Sequence, residues 1–596
     1  MLPPSLDLAT LSQAYRAGLK PSALFARLHA LAAADTHHAW ISLLPEAALL
    51  ARARALDERA PASLPLYGVP FAIKDNIDLA GLPTTAGCPD FAYAPDADAV
   101  VVARLIAAGA IPLGKTNLDQ FATGLNGTRS PYGACRNAFD PAYISGGSSS
   151  GSAVALAAGQ VSFSLGTDTA GSGRVPAAFN NLVGLKPTCG LLPSTGLVPA
   201  CRTLDTISIF TLTAADAATV FGIVRGVDEA DAYSRPAEPH GRRFPAGQPF
   251  RFGVPRAGQL AFFGDAHNTG LFGAAVARLE RLGGVAVEQD FEPLLETARL
   301  LYGGPWVAER YHAIKAFIER QPESVFPVTR AITLGGAQAT AVDAFDAQYR
   351  LRALKRRCDA AWQDVDLIIT PTAGFHPTIA AVEADPIRLN TDLGHYTNFM
   401  NLLDYSAVAV PAAFRPDSLP FGVTLFAPAH QDLPLLELAA RWQTDTGLPL
   451  GATGQPLPAQ DFPFPAGADG MVQVAVCGAH LSGLPLNWQL TQRGGRLLRA
   501  VRSAPEYRFY ALAGGPPLRP GMVRVTEGGG AVEMEVWELP ARHFGSFVAG
   551  IPAPLGIGKV TLEDGSLVCG FICESGGLCG AEDITRYGGW RAWLGR

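Results

Sequence analysis

Three stretches of this chain carry side chains that could act on one another. Lys74 lies in GVPFAIKDNID, Ser148 opens the serine run of GGSSSGS (146–152), and Ser172 sits in GTDTAGSGR (166–174). A lysine among apolar neighbours can lose its charge, because burial can supply the roughly 4–5 kcal/mol of differential solvation that brings its pKa from ~10.4 towards ~7. A neutral amine is a general base, and a serine within its reach becomes a nucleophile. Gly171 and Gly173 flank Ser172 in a turn where successive backbone N–H groups can converge on one oxygen as an oxyanion hole. The chemistry this suggests is acyl transfer. Histidine is the usual base for a serine, yet none occurs between His38 and His240, so a histidine would have to fold in from a distance.

Each stretch also has a plainer reading. GGSSSGS could be a tether, Lys74 a strand-end charge reaching solvent, and TAGSG a tight turn. The first of these conflicts with the residues downstream. The run enters AVALAAG, apolar on every face, and then the alternating VSFSLGTD, whereas tethers do not enter cores. A glycine-rich loop feeding a buried helix also suits a nucleotide phosphate, and GAIPLGKT (109–116) matches the P-loop expression. A P-loop needs a strand before it and a helix after it. Here a helix pattern (VVARLIAAG) precedes, a strand pattern comes next, and apolar AIPL stands where the phosphate cradle belongs, so ATP or GTP binding is not expected.

The elements that must position these residues follow from periodicity. LATLSQAYRAGL and SALFARLHALAA predict two amphipathic helices, and Val69, Phe71 and Ile73 alternate with Pro70, Ala72 and Lys74 as a strand. Helix and strand patterns then alternate to about residue 440, which predicts an α/β core over 1–448. Residues 449–469 are rich in proline and glycine, as in a semi-rigid connector. Beyond it, 470–596 holds short β-type runs between glycine turns, a small β-rich domain.

The 596 residues are 48% hydrophobic and 17% charged, with a net charge of −6 and no basic block, so a nucleic-acid partner is not expected. The first thirty residues do not read as a signal peptide, and no run of about 18 apolar residues appears; a cytoplasmic protein with no membrane segment is expected. Nine scattered cysteines read as buried free thiols. The spacings of Cys569, Cys573 and Cys579 match no paired zinc pattern.

Lysine in KDN, GGSSSGS, and GTDTAGSGR followed by PAAFNNLVGLKPT at these separations resemble the amidase signature family over roughly residues 20–440. The resemblance implies an α/β core of mixed sheet covered by helices and a catalytic triad of Lys74, Ser148 and Ser172. In it Ser148, held by a cis peptide after Gly147, bridges base to nucleophile, and the N–H groups of Thr169, Ala170, Gly171 and Ser172 form the oxyanion hole. Most relatives carry glycine where this chain has Ser150 and Ala170. Within the family the ATGLNGTRSPYG segment, LYGGPWVAERYHA and the tail are similar to allophanate hydrolases. That likeness implies a carboxylate grip by Tyr302 and Arg310, with Gly124 lining the pocket, which suits a small anion such as allophanate. Asn126 falls where many relatives are apolar. The tail is similar to their C-terminal domain, with a fold like γ-glutamyl cyclotransferase, and His480 in VQVAVCGAHLSG matches a histidine of a second, decarboxylating step. No metal or organic cofactor is implied. Some relatives are fused to a urea carboxylase; this chain has no biotin-attachment MKM sequence, so any carboxylase is expected on a separate protein. A homodimer is expected. The alternatives are another amidase of the family, such as the ammonia-generating part of an amidotransferase, and a tail that only docks.

Overall fold

The computed structural model describes residues 3–238, 244, 249–460, 462 and 470–595. These fall into two units, one spanning Met1–Ala237 and Arg243–Pro463, the other Glu238–Arg242 and Phe464–Arg596.

In the first unit the strands are β1 (Trp40–Leu43), β2 (Pro70–Lys74), β3 (Ile111–Thr116), β4 (Phe163–Asp168), β5 (Val183–Lys186), β6 (Thr206–Thr211), β7 (Phe250–Pro255), β8 (Gly284–Gln289), β9 (Leu367–Pro371), β10 (Ser406–Phe414) and β11 (Pro420–Ala427). They form one mixed sheet in the order β1-β3-β2-β4-β6-β5-β10-β11-β9-β7-β8. Strand β2 runs parallel to both neighbours, β3 and β4. All five of its residues are buried, and Phe71 stacks on Phe163 across the β2–β4 pair at 5.1 Å. Lys74 is thereby delivered to a strand end inside the sheet. Helices Leu8–Arg16 and Pro21–Ala33 form where the amphipathic patterns predict them, the first capped by Asp7, whose carboxylate accepts from the Thr10 N–H at 2.8 Å.

The serine run does not become a tether. Its last residues open the helix Ser150–Ala157, in which every residue is buried. Gly151 lies so close to the backbones of Ala39 and Asn117 that any side chain there would collide with them. Nor is the P-loop expression a P-loop. Its Gly114, Lys115 and Thr116 lie within β3, paired with β1 and β2. Lys115 forms a buried ion pair with Asp75 at 3.0 Å.

The proline-rich stretch from 449 is packed rather than free at its start. Asn181 donates through Nδ2 to the carbonyls of Pro449 (2.7 Å) and Gly451 (3.0 Å), and the Ala452 N–H donates to Ala157. Composition shows the lack of regular structure there but not these tethering bonds. The rest of the expected connector, 461 and 463–469, lies outside the described residues. No helix among the described residues is long and apolar enough to cross a membrane. All nine cysteines are free; against expectation, Cys579 is exposed and Cys189 and Cys569 are half-buried.

The second unit is β-rich. A five-stranded sheet runs Arg496–Arg502, Glu533–Pro540, Met471–Val476, Leu567–Cys573, Leu555–Thr561, beside a three-stranded sheet of Pro520–Arg524, Tyr507–Ala511 and Glu582–Asp583. Its own core includes Val474, Phe509, Val536, Trp537, Phe547 and Trp590. That supports independent packing of the unit.

Candidate active site

Lys74 has no solvent exposure. Its Nζ lies 2.7 Å from Ser148 Oγ and 2.7 Å from Thr167 Oγ1 on β4. Burial lowers its pKa to about 7, against the fields of Asp119, Asp205 and Asp168, while Arg310 pushes the same way as burial. The neighbouring Asp75 would be the natural counter-ion, but it is committed to Lys115 and to Thr85, whose N–H donates to it at 3.0 Å. Lys74 has hydroxyls as its partners, and they accept from an ammonium less strongly than a carboxylate would.

Ser148 follows a cis peptide with Gly147, as the resemblance implies. Its carbonyl accepts from the Asp119 N–H at 3.1 Å. The buried Asp119 carboxylate in turn collects the N–H groups of Asn126 (3.2 Å), Gly127 (3.0 Å) and Arg129 (3.0 Å). A side chain on Gly147 or on Gly124 would run into that carboxylate. Glycine at both positions is therefore what lets the 119–129 loop close over the serine.

Ser172 occupies the turn between β4 and the short helix Val175–Phe179. The turn is pinned from beneath. Asp168 accepts from Gly171 N (2.9 Å) and Gly173 N (3.0 Å), and Arg174 forks onto both its oxygens at 2.9 Å. Burial would raise the Asp168 pKa, but the guanidinium prevails and holds it below the usual carboxylate range. The Gly171 N–H is thus spent on Asp168, which removes it from the four expected oxyanion donors. Among the described residues the N–H groups of Thr169, Ala170 and Ser172 meet no acceptor. Ala170 packs with Cys201, Leu204, Leu301 and Trp306, so the extra methyl relative to glycine is absorbed by core.

The Ser172 hydroxyl faces the Gly124 carbonyl at 3.5 Å. Its expected bond to Ser148 is not formed, so only the first link of the Lys74–Ser148–Ser172 series is closed. Arg310, buried on the helix Trp306–Arg320, donates to the Ala122 carbonyl (3.2 Å) and Thr123 Oγ1 (3.1 Å), the two residues before Gly124. It also reaches Tyr302 Oη at 3.4 Å and lies over that ring. Tyr302 lines a cleft with Arg129, Asn390 and Ile387. The pair and Ser172 are therefore coupled through one short loop. Asn126 is a structural tie: it donates to Asn390 Oδ1 (2.9 Å) and accepts from the N–H and hydroxyl of Thr128.

His480 belongs to the second unit and sits just past the strand Met471–Val476. Its ring is stacked on Phe571 and edge-on to Phe547, with Nε2 3.0 Å from Gln489 Oε1. Burial lowers its pKa below the ordinary histidine value, and Arg519 adds to the effect. It lines a small cleft with Cys477, Gln489, Arg519 and Phe571.

Sequence reasoning missed Thr167, Asp119 and the Asp168–Arg174 pair. An acid and an arginine bracketing a glycine turn was a readable signal for the last. Nothing local marks Asp119, whose role is set by residues folded round it.

Residues 22–436 match the amidase family model, and 472–595 match that of the allophanate hydrolase C-terminal domain. The chain is 45% identical over 579 residues to the urea amidolyase of Saccharomyces cerevisiae, covering 94% of this chain and 31% of that one. It thus spans about a third of the length of that relative. The A subunit of the glutamyl-tRNA(Gln) amidotransferase of Symbiobacterium thermophilum is 34% identical over 432 residues, 67% of this chain and 88% of that one. Among solved structures, Kluyveromyces lactis allophanate hydrolase superimposes with a TM-score of 0.79 at 41% identity, covering 98% of both chains. The chain belongs to the amidase family, hydrolases of C–N amide bonds, and carries the allophanate hydrolase C-terminal domain.

Proposed function

We propose that this enzyme hydrolyses allophanate with Lys74, Ser148 and Ser172 as its catalytic residues. The observation that carries the reading is the fully buried Lys74 amine, held between two hydroxyls and brought to about pKa 7. One N–H of the neutral amine donates to Thr167, which leaves its lone pair towards Ser148. Rotation of Ser172 about χ1 exchanges the Gly124 carbonyl for Ser148 as its partner. Ser148 then hands its proton to Lys74 and takes that of Ser172 as Ser172 Oγ bonds to the terminal carbamoyl carbon.

The tetrahedral oxyanion is held by the N–H groups of Thr169, Ala170 and Ser172. Lys74 returns its proton through Ser148 to the departing nitrogen, which leaves as ammonia. Water, deprotonated along the same path, releases N-carboxycarbamate. Tyr302 and Arg310 bind the substrate carboxylate, a charge a guanidinium is suited to fork onto.

The second unit carries the product further. His480 protonates the nitrogen of N-carboxycarbamate as one C–N bond breaks, giving carbon dioxide and carbamate, and carbamate with a further proton gives ammonia and carbon dioxide. Allophanate would come from a carboxylase acting on urea or from the breakdown of a triazine-type ring, and the enzyme works in the cytoplasm as a homodimer. Similarity to the tRNA-dependent amidotransferase favours a second reading, an ammonia-producing amidase with a docking tail; Tyr302 and Arg310 favour the first. Rates of ammonia release from allophanate, malonamide and simple amides test the choice. Allophanate should be preferred by orders of magnitude, and equal rates on the uncharged amides would refute the carboxylate grip.

A further inference from the structure

The cleft around His480 is lined by a cation for which no ion-pair partner is found among the described residues. Arg519 immediately precedes the strand Pro520–Arg524 and lines the cleft together with His480 and Gln489. Its Nε is buried and meets no acceptor among the described residues. No aspartate or glutamate is among the residues lining the cleft, whose remaining walls are mostly apolar: Leu486, Ile551, Pro552, Leu555 and Phe571. Elsewhere arginines of this unit find acids or carbonyls: Arg591 bonds Glu535 and the Ser482 carbonyl, and Arg499 bonds Asp564. A buried guanidinium donor left unsatisfied is costly, and one at the wall of a cleft free of carboxylates suits an anion.

The walls are fixed before any ligand arrives. His480 is clamped between Phe571 and Phe547, its carbonyl accepts from Asn487 Nδ2 at 2.9 Å, and its Nε2 is engaged by Gln489. The other group with latent reactivity is disabled: burial raises the Cys477 thiol to about 12, so it stays protonated. That leaves one proton carrier and one cation lining the same cleft.

We propose that Arg519 is the carboxylate anchor of this cleft, binding a small planar dianion by one carboxylate and so placing the rest of the molecule against His480. This rests on the reading of the cleft as the site of the second step and adds the residue that selects its substrate. An arginine here separates the dianion from monoanionic carbamate and from the neutral end products by charge. The carboxycarbamate is held, whereas ammonia and carbon dioxide have no claim on the guanidinium.

Malonate, a stable isostere of N-carboxycarbamate, is the probe, and the full chain carrying Arg310→Met is the parent, so that the first site does not compete for it. The histidine ring resonances are followed by NMR, with that of His480 identified by its loss in His480→Asn. Malonate should shift the His480 signal to saturation in the parent, and malonamide should not move it. Adding Arg519→Met should weaken malonate binding at least about tenfold, while Arg519→Lys, which keeps the charge, should recover part of the loss. Unchanged malonate affinity in Arg519→Met, or a His480 signal that malonate never moves in the parent, would overturn the proposal. The underlying reading is tested apart. If His480→Asn in the native chain releases both ammonias of allophanate at the native rate while Arg519-dependent malonate binding persists, the anion site stands and the second-step reading falls.

Discussion

Replacing Thr167 by valine removes the oxygen that holds one N–H of Lys74 while keeping the β-branched shape in β4. Thr167 Oγ1 lies 2.7 Å from Nζ, fully inside the protein. A hydrogen bond from an ammonium is worth about 1.5–3 kcal/mol and one from a neutral amine about 0.5–1.5 kcal/mol, so losing the acceptor disfavours the charged form by about 1 kcal/mol more. That difference corresponds to somewhat under one pKa step, and its sign is downward. Activity that requires neutral Lys74 should rise with pH through about 7 in the native enzyme. In Thr167→Val the acid limb should lie roughly 0.5–1 pH unit lower. The plateau should fall about tenfold, because the amine is no longer held with its lone pair on Ser148. Thr167→Ser should behave almost as the native enzyme. The assay is initial-rate ammonia release from allophanate between about pH 5 and pH 9, analysed as kcat/KM. A limb that stays in place or moves up, with the plateau intact, would refute Thr167 as the orienting partner.

Arg310→Met should raise KM for allophanate about 100-fold with a smaller loss in kcat, the value of a charged fork lost from a buried site, and leave hydrolysis of malonamide nearly unchanged; steady-state kinetics on both substrates decide it. Lys74→Met should abolish turnover yet stabilise the fold at pH 7. The unfolded chain holds the Lys74 proton up to about 10.4 and the native state only to about 7, so native stability rises across that window by about 4–5 kcal/mol and is lowest below it. The variant lacks this slope, so the gap between the two urea midpoints should close as pH is raised from 7 towards 10. Asp168→Asn leaves Arg174 buried without its partner and should cost about 3–5 kcal/mol in urea denaturation, with slower turnover as the Ser172 turn loosens.

Much of the site was legible because its signals are local. Alternation through Val69, Phe71 and Ile73 put Lys74 on a strand, and the apolar residues after GGSSSGS turned a tether into the start of a buried helix. The P-loop expression failed on the order of its flanking elements, and the fold gives its lysine another task, neutralising Asp75 so that Lys74 is left without a counter-ion. What stayed hidden depends on chain segments that meet only in three dimensions. Thr167 is 93 residues from Lys74, and Arg310 reaches Thr123 across 187. The donor count of the proposed oxyanion hole could not be read from TAGSG, because whether Gly171 N–H points inward or to Asp168 is a matter of one backbone rotation. The start of the proline-rich stretch is tied down by Asn181, a residue far upstream with no mark of that role in its own surroundings.

The charge state of one amine underlies the whole proposed chemistry. Titration of the Lys74 side chain by NMR in the 596-residue chain, with its signal identified by its loss in Lys74→Met, should give a midpoint near 7. A resonance that stays that of an ammonium up to about pH 9 would contradict the proposal that Lys74 is the base.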